Sequence, residues 1–288
     1  ARGRTLQPVR NNLKTAVLLA GLGALCMFIG SFWGAGGVVI GLVIGLAMCG
    51  GSYWFSDKLA IRSANAVEVT AAQMPQYHQI VADLAMRSGI PQPRLYVSPS
   101  PQPNAFATGR NADNAAVCVT QGLLQTLDWD EIRGVLAHEL SHVRNRDILI
   151  GSVAAAIAMG ITFVASMARF AMIFGGGRSN ERSNPFGALL MVILAPIAAA
   201  LIQMAISRSR EFEADASAAR MIGTGEPLAR ALEKLEAGAE RVPAEVNPAV
   251  ASAYIVNPLR GRNARGLFVT HPPVAERIAR LRSGAWAA

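Results

Sequence analysis

The chain has 288 residues, of which 52% are hydrophobic and only 16% are charged. This composition is too apolar for an ordinary soluble enzyme of this length and indicates a protein that lies in a membrane. The formal net charge of +8 comes without a basic patch interleaved with aromatic residues, so it predicts contact with anionic lipid head groups and not with nucleic acid.

The first predicted element is a pair of membrane spans. No charged residue occurs between residues 15 and 56, a run long enough for two helices of about 20 residues each. We expect spans near residues 15–33 and 38–55, with a Gly-Ala-Gly-Gly turn at 34–37 between them. A cleaved signal peptide would explain one apolar run, but not a second one directly after it. Residues 1–58 are therefore predicted to form an N-terminal transmembrane hairpin.

Basic residues flank this hairpin on both sides, whereas the turn inside it carries no charge. They are Arg2, Arg4, Arg10 and Lys14 before the first span and Lys58 and Arg62 after the second. The positive-inside rule then places both ends of the hairpin in the cytoplasm. The chain that follows the second span is predicted to face the cytoplasm as well.

Residues 59–147 are interpreted as the first part of a compact α+β domain. Helical periodicity covers 71–88, a short strand is expected at 94–98, and two strands at 104–108 and 115–120 flank a turn at 109–114. Either strand of this pair, if it is exposed, could align an extended polypeptide by adding it to the sheet. Asn104 and Ala105 are the expected substrate-binding residues.

The segment His-Glu-Leu-Ser-His at 138–142 is the most informative motif of the chain. Histidines four residues apart on a helix share one face, so His138 and His142 can bind the same metal ion. Glu139, about 100° round the helix from His138, would lie beside a metal-bound water as general base. A helix start at Asp128 supports this interpretation. Taken alone, the motif would fit a surface helix with two unconnected histidines equally well.

A second pair of uncharged segments follows the motif, at 148–168 and 185–207. They predict a second transmembrane hairpin over 148–207, with buried helices of a soluble core as the alternative. Such a hairpin would return the chain to the membrane face where it began. It would leave His142 and Glu211 about 9 Å and 6 Å from its two ends, at about 1.5 Å per helical residue.

A zinc site needs a third protein ligand besides the two histidines. Because of the hairpin, we expect it in Ser-Arg-Ser-Arg-Glu-Phe-Glu-Ala-Asp at 207–215. Glu211 is the predicted ligand, and Asp215, one turn further on, is expected to orient a ligand histidine. Glu213 is predicted to be a surface residue. Residues 208–288 would complete the peptidase domain, with helices at 226–237 and 273–282.

The last candidate is His271, in Thr-His-Pro-Pro at 270–273. The prolines that follow it restrict its backbone, and a rigid histidine could donate a hydrogen bond to the oxyanion of a tetrahedral intermediate. A histidine that only packs a loop is the competing interpretation.

In this order and setting, the motifs at 103–109, 138–142, 207–215 and 270–273 resemble those of HtpX-type membrane zinc metallopeptidases, relatives of the CAAX prenyl proteases. The resemblance implies a gluzincin-type site with one Zn²⁺ per chain on His138, His142 and Glu211, and with Glu139 as general base and acid. It also implies Asp215 behind the ligands and His271 near the transition state. The implied protein is an endopeptidase of the bacterial cytoplasmic membrane that degrades damaged membrane proteins, without a nucleotide-binding domain.

The predicted fold class is a mainly helical α+β integral membrane protein with four transmembrane helices and a cytoplasmic gluzincin-type zinc peptidase domain. One alternative is an intramembrane-cleaving zinc protease, but charged residues flank the motif too closely for a site inside the bilayer. The second alternative is a non-catalytic membrane scaffold or a metal transporter. The intact Glu139 disfavours a scaffold, and the absence of carboxylates and histidines from the expected spans disfavours a transporter.

Overall fold

The computed structural model describes residues 34–149, 208–241, 255 and 272–287, with scattered positions between 13 and 31. Its helices are α1 Gly34–Trp54, α2 Ser56–Ser63, α3 Pro75–Ser88, α4 Gln121–Thr126, α5 Trp129–Arg144, α6 Arg208–Ile222, α7 Glu226–Arg241 and α8 Val274–Arg282. Its strands are β1 Val67–Glu68, β2 Arg94–Ser98, β3 Ala105–Gly109 and β4 Ala115–Thr120. The result is a mainly helical α+β fold.

The four strands form one sheet in the order β1-β2-β4-β3. Strands β2 and β4 are parallel, and β3 runs antiparallel to β4 in a register that pairs Ala105 with Val119. The predicted strand pair is thus confirmed. Because β4 lies inside the sheet and is buried along its whole length, β3 is the described strand that offers an edge beside the motif helix.

Helix α5, which carries the His-Glu-Leu-Ser-His motif, begins as predicted. The Asp128 carboxylate accepts hydrogen bonds from the backbone N–H groups of Asp130 and Glu131, and the Glu131 carboxylate accepts one from the N–H of Asp128. This capping box supplies partners for N–H groups that have none within the helix. The helix buries Ile132, Val135, Leu136, Leu140 and Val143, and it packs against α3, α6, α7 and β3.

Helices α5 and α7 approach most closely at Gly134. A Cβ atom at this position would lie 2.6 Å from the backbone nitrogen of Leu228 and 2.9 Å from the carbonyl carbon of Pro227. Real Cβ atoms essentially never come so near a backbone atom. Glycine is therefore required at Gly134 for the helix with the histidines to lie against the start of α7.

Two sequence-based boundaries are wrong. The four-residue turn expected at 34–37 belongs to α1, since only Gly34 has a left-handed backbone, with φ +75°, and the following glycines continue the helix. Glycine permits a turn but does not impose one. The helix expected from residue 71 begins at Pro75, because proline fits the first helical turn and the Thr70 carbonyl instead accepts the N–H groups of Gln73 and Met74.

Among the helices in the described ranges, none is both long and apolar enough to cross a bilayer. The spans expected at 148–168 and 185–207 fall almost entirely outside the described residues, as does most of the span at 15–33. The two hairpins and the domain boundaries built on them therefore stay predictions.

Candidate metal centre

Three of the predicted site residues meet at one point between α5 and α6. The Nε2 atoms of His138 and His142 lie 3.1 Å apart. Carboxylate oxygens of Glu211 lie 3.6 Å from His138 Nε2 and 3.7 Å from His142 Nε2. Ligand atoms held tetrahedrally at about 2.0–2.1 Å from Zn²⁺ are about 3.3 Å from one another. The three separations fit that geometry closely.

The packing of two helices produces this convergence. Helix α5 places His138 and His142 one turn apart on the same face, and α6 presents Glu211 from its first turn. Although 69 residues separate His142 from Glu211 in the sequence, the two helices pack directly against each other. His138 and Glu211 are buried and His142 is half-buried, so His142 is the ligand side chain that keeps the most contact with solvent.

A buried carboxylate lies behind His138. Asp215 Oδ1 is 2.9 Å from His138 Nδ1, an ion-pair distance without the alignment of a good hydrogen bond. The aligned hydrogen bonds to Asp215 come from Arg277, whose Nε and Nη2 atoms donate at 2.8 and 2.7 Å. Burial raises the pKa of Asp215, but Arg277 outweighs burial and lowers it to about 2. Asp215 is therefore an anion held between an arginine and a ligand histidine.

A second buried carboxylate, Asp147, lies behind His142. Its Oδ2 atom is 3.1 Å from His142 Nδ1, the ring nitrogen that points away from the centre. Asp147 is not among the site residues predicted from the sequence, because it follows the end of α5 and belongs to no periodic pattern. The only available signal is its short distance in sequence from the second histidine, since metal-binding histidines regularly donate their other N–H to a carboxylate.

The donor chemistry of the centre fits a divalent cation. Each ring nitrogen Nδ1 faces a carboxylate, so each Nε2 presents its lone pair to the space shared with Glu211. Burial lowers the pKa of His142, but Asp147, Glu211 and Glu139 outweigh burial and raise it to about 10. Surroundings that favour a proton on this ring favour a metal ion at its Nε2 for the same electrostatic reason.

Glu139 points to the edge strand and not into the ligand cluster. Its Oε2 atom accepts a hydrogen bond from the backbone N–H of Ala107 on β3, at 3.0 Å. The group of side chains able to hold a metal ion comprises His138, His142 and Glu211 without it. Burial raises the pKa of Glu139, which suits a carboxylate that has to accept a proton.

Comparison with known proteins places this site in a family. The model of Peptidase family M48 matches residues 71–285. The chain belongs to peptidase family M48. A "Protease HtpX homolog" from Syntrophobacter fumaroxidans is 50% identical over 279 residues, covering 95% of this chain and 99% of that protein. A second, from Desulfatibacillum aliphaticivorans, is 47% identical over 275 residues, covering 94% of this chain and 89% of that protein.

The fold comparison agrees with this assignment. The crystal structure of S. mikatae Ste24p superposes with a TM-score of 0.52 at 18% identity, covering 98% of this chain and 66% of that one. The resemblance to HtpX-type peptidases is confirmed, and the M48 chain is a membrane zinc metalloprotease.

Four other residues singled out from the sequence are Asn104, Ala105, Glu213 and His271. Asn104 is buried, and its side-chain oxygen accepts the N–H of Ile255 at 3.3 Å. Ala105 is fully buried at the start of β3. Glu213 is exposed and binds Arg220, in agreement with its prediction as a surface residue. His271 lies outside the described residues.

Proposed function

We propose that this M48 protease hydrolyses peptide bonds at a single zinc ion held by His138, His142 and Glu211. The observation that carries the proposal is the convergence of these three side chains with separations of 3.1 to 3.7 Å. When bound, zinc supplies a Lewis acid for the scissile carbonyl and lowers the pKa of a bound water. Asp215 and Arg277 hold the His138 ring in the orientation that turns Nε2 toward the ion.

Glu139 is proposed as the general base and acid. Its carboxylate takes a proton from the attacking water and passes it to the leaving amine. The N–H of Ala107 fixes one carboxylate oxygen at 3.0 Å, and this leaves the other oxygen available for the proton. His271 is proposed as a hydrogen-bond donor to the oxyanion of the tetrahedral intermediate.

An extended substrate is proposed to bind along β3. The Thr120 N–H donates to the Asn104 carbonyl, and peptide groups alternate in direction along an antiparallel strand. We infer that the N–H and C=O of Ala105 and the C=O of Ala107 face the edge where a polypeptide can join the sheet, while the Ala107 N–H is bonded to Glu139. Because Ile255 lies against Asn104, substrate contact at Asn104 and Ala105 would require Ile255 to move away from Asn104.

The finer membrane arrangement is part of the proposal. We propose four transmembrane helices in hairpins within residues 1–58 and 148–207, with the peptidase segments 59–147 and 208–288 on the cytoplasmic side. Exposed apolar side chains on α1, among them Val39, Ile40, Val43 and Leu46, support contact with lipid. In this arrangement the substrates are damaged membrane proteins, and the role is protein quality control.

The test uses the full chain purified in detergent, with hydrolysis of casein and zinc content as readouts. Glu139→Gln should abolish hydrolysis while one zinc ion per chain remains, because the amide cannot accept the proton of water. Glu276→Gln, at an exposed carboxylate on α8, is the matched control and should retain both. Near-normal hydrolysis by Glu139→Gln would remove this residue from the mechanism.

A further inference from the structure

We propose that Asp147 is a positioning residue of the metal centre, which fixes the His142 ring with Nε2 turned toward the ion. The proposal rests on the zinc site proposed above. Its first support is the contact itself, since Asp147 Oδ2 lies 3.1 Å from His142 Nδ1 and the aspartate side chain is only 4% exposed. A buried carboxylate at this distance accepts a hydrogen bond from the Nδ1–H group. It thereby favours the tautomer that carries its proton on Nδ1 and its lone pair on Nε2.

The backbone after α5 is shaped to deliver this contact. The Arg146 backbone is left-handed, with φ +57°, a region that residues other than glycine rarely adopt. The resulting turn brings the Asp147 N–H to the His142 carbonyl, with a hydrogen bond of 3.2 Å. Asp147 therefore contacts His142 twice, through its backbone and through its side chain. A backbone conformation that costs free energy is maintained at the position that orients a ligand.

The surroundings of Asp147 differ from those of Asp215 in a way that points to the metal. Both oxygens of Asp215 accept hydrogen bonds from Arg277, so Asp215 is neutralised by the fold itself. Within the described part of the chain, the Oδ1 atom of Asp147 is buried without a hydrogen-bond partner, and His142 is the one basic group paired with its carboxylate. A buried charge needs compensation, and among the described residues the His142 ring is the path by which a bound cation acts on Asp147.

This asymmetry separates two roles for the carboxylates. Asp215 stabilises the folded protein and the metal site together, because its loss leaves Arg277 buried and unpaired. Asp147 faces the His142 ring, which unlike Arg277 can release its proton, so the loss of Asp147 leaves no fixed charge unpaired and weakens chiefly the metal site. If Asp147 were instead only a structural residue of the turn after α5, its side chain would stabilise the protein equally with and without zinc.

The experiment compares Asp147→Ala, Asp147→Asn and Asp215→Asn in the full chain purified in detergent. Zinc affinity is measured by competition with a chromogenic chelator, and thermal unfolding is followed for metal-free and zinc-loaded protein. Asp147→Ala should weaken zinc binding about 10- to 100-fold, while the metal-free unfolding midpoint falls less than that of Asp215→Asn. Asp147→Asn retains an acceptor oxygen and should lose less affinity. Asp215→Asn should lower the midpoint of the metal-free protein as well.

Two results would overturn the role of Asp147. One is unchanged zinc affinity in Asp147→Ala, and the other is a fall of its metal-free unfolding midpoint as large as that of Asp215→Asn, which would make the residue structural. A wild-type protein that binds no zinc would instead overturn the proposed function together with this inference, so the two failures can be distinguished.

Discussion

The backbone N–H of Ala107 donates a hydrogen bond of 3.0 Å to Oε2 of Glu139. Strand β3 thereby contacts α5, the helix that carries both ligand histidines. The contact is made at Glu139, the side chain proposed to take the proton of the attacking water. The edge proposed to align a substrate and the group proposed to activate water are held in one fixed relation. A polypeptide that joined β3 would thus lie next to Glu139 without a rearrangement of α5.

Removing this hydrogen bond should reduce hydrolysis without removing zinc. In Ala107→Pro the donor is lost while the strand edge tolerates the ring, and a hydrogen bond to a charged group contributes about 1.5–3 kcal/mol. We expect kcat/KM for casein or a peptide substrate to fall at least about tenfold with zinc content unchanged. Ala107→Ser keeps the N–H and is the control. Equal activity in the two variants would show that this bond does not position Glu139.

Gly134→Ala should destabilise the enzyme even though alanine is the better helix former. Alanine gains about 1 kcal/mol over glycine inside a helix, but here its Cβ would lie 2.6 Å from the backbone nitrogen of Leu228. Overpacking costs about 1–3 kcal/mol, so we expect a lower thermal unfolding midpoint. Gly238→Ala in α7, where a Cβ meets nothing within 4 Å, should leave the midpoint unchanged or higher. A rise for Gly134→Ala would contradict the close approach of α5 and α7.

Arg277→Ala should be among the most destabilising substitutions in the described part of the chain. Arg277 is fully buried, and its removal leaves Asp215 without its arginine and facing only the His138 ring; breaking a buried ion pair in this way costs about 3–5 kcal/mol. Arg280→Ala on the same helix is the control. The Arg280 side chain is exposed, and its Cζ atom lies 3.9 Å from the centre of the Phe212 ring. A cation–π contact of this kind contributes about 0.5–1 kcal/mol. Thermal unfolding should show a large shift for the first variant and a small one for the second. Comparable shifts would mean that the pair with Asp215 contributes little.

Local patterns in the sequence were sufficient to predict several of these features. The capping box at Asp128 and the hydrophobic spacing of α5 are local signals, and the structure has both. The strand pair follows from β-forming residues on either side of a polar turn. Glu211 could be proposed as ligand because the predicted hairpin would return the chain to its starting level, and the structure does bring Glu211 to the two histidines.

Other features depend on contacts that no local pattern encodes. Arg277, Arg280 and Arg282 follow one another along α8, and only the packing of that helix decides that the first is buried. Asp147 reaches His142 because Arg146 adopts a left-handed backbone, which arginine does not favour. The glycines at 34–37 illustrate the opposite case, a turn signal without a turn, because glycine only permits the conformation.

The measurement that tests the metal centre most directly is the zinc content of Glu211→Ala beside that of Glu213→Ala. The two glutamates lie on the same helix, but Glu211 is within 3.7 Å of both histidines, whereas Glu213 is exposed and paired with Arg220. Glu211→Ala should lose zinc and hydrolysis together, since only two protein ligands remain, and Glu213→Ala should keep both. Zinc that remains in Glu211→Ala and is lost from Glu213→Ala would contradict the ligand assignment and the function built on it.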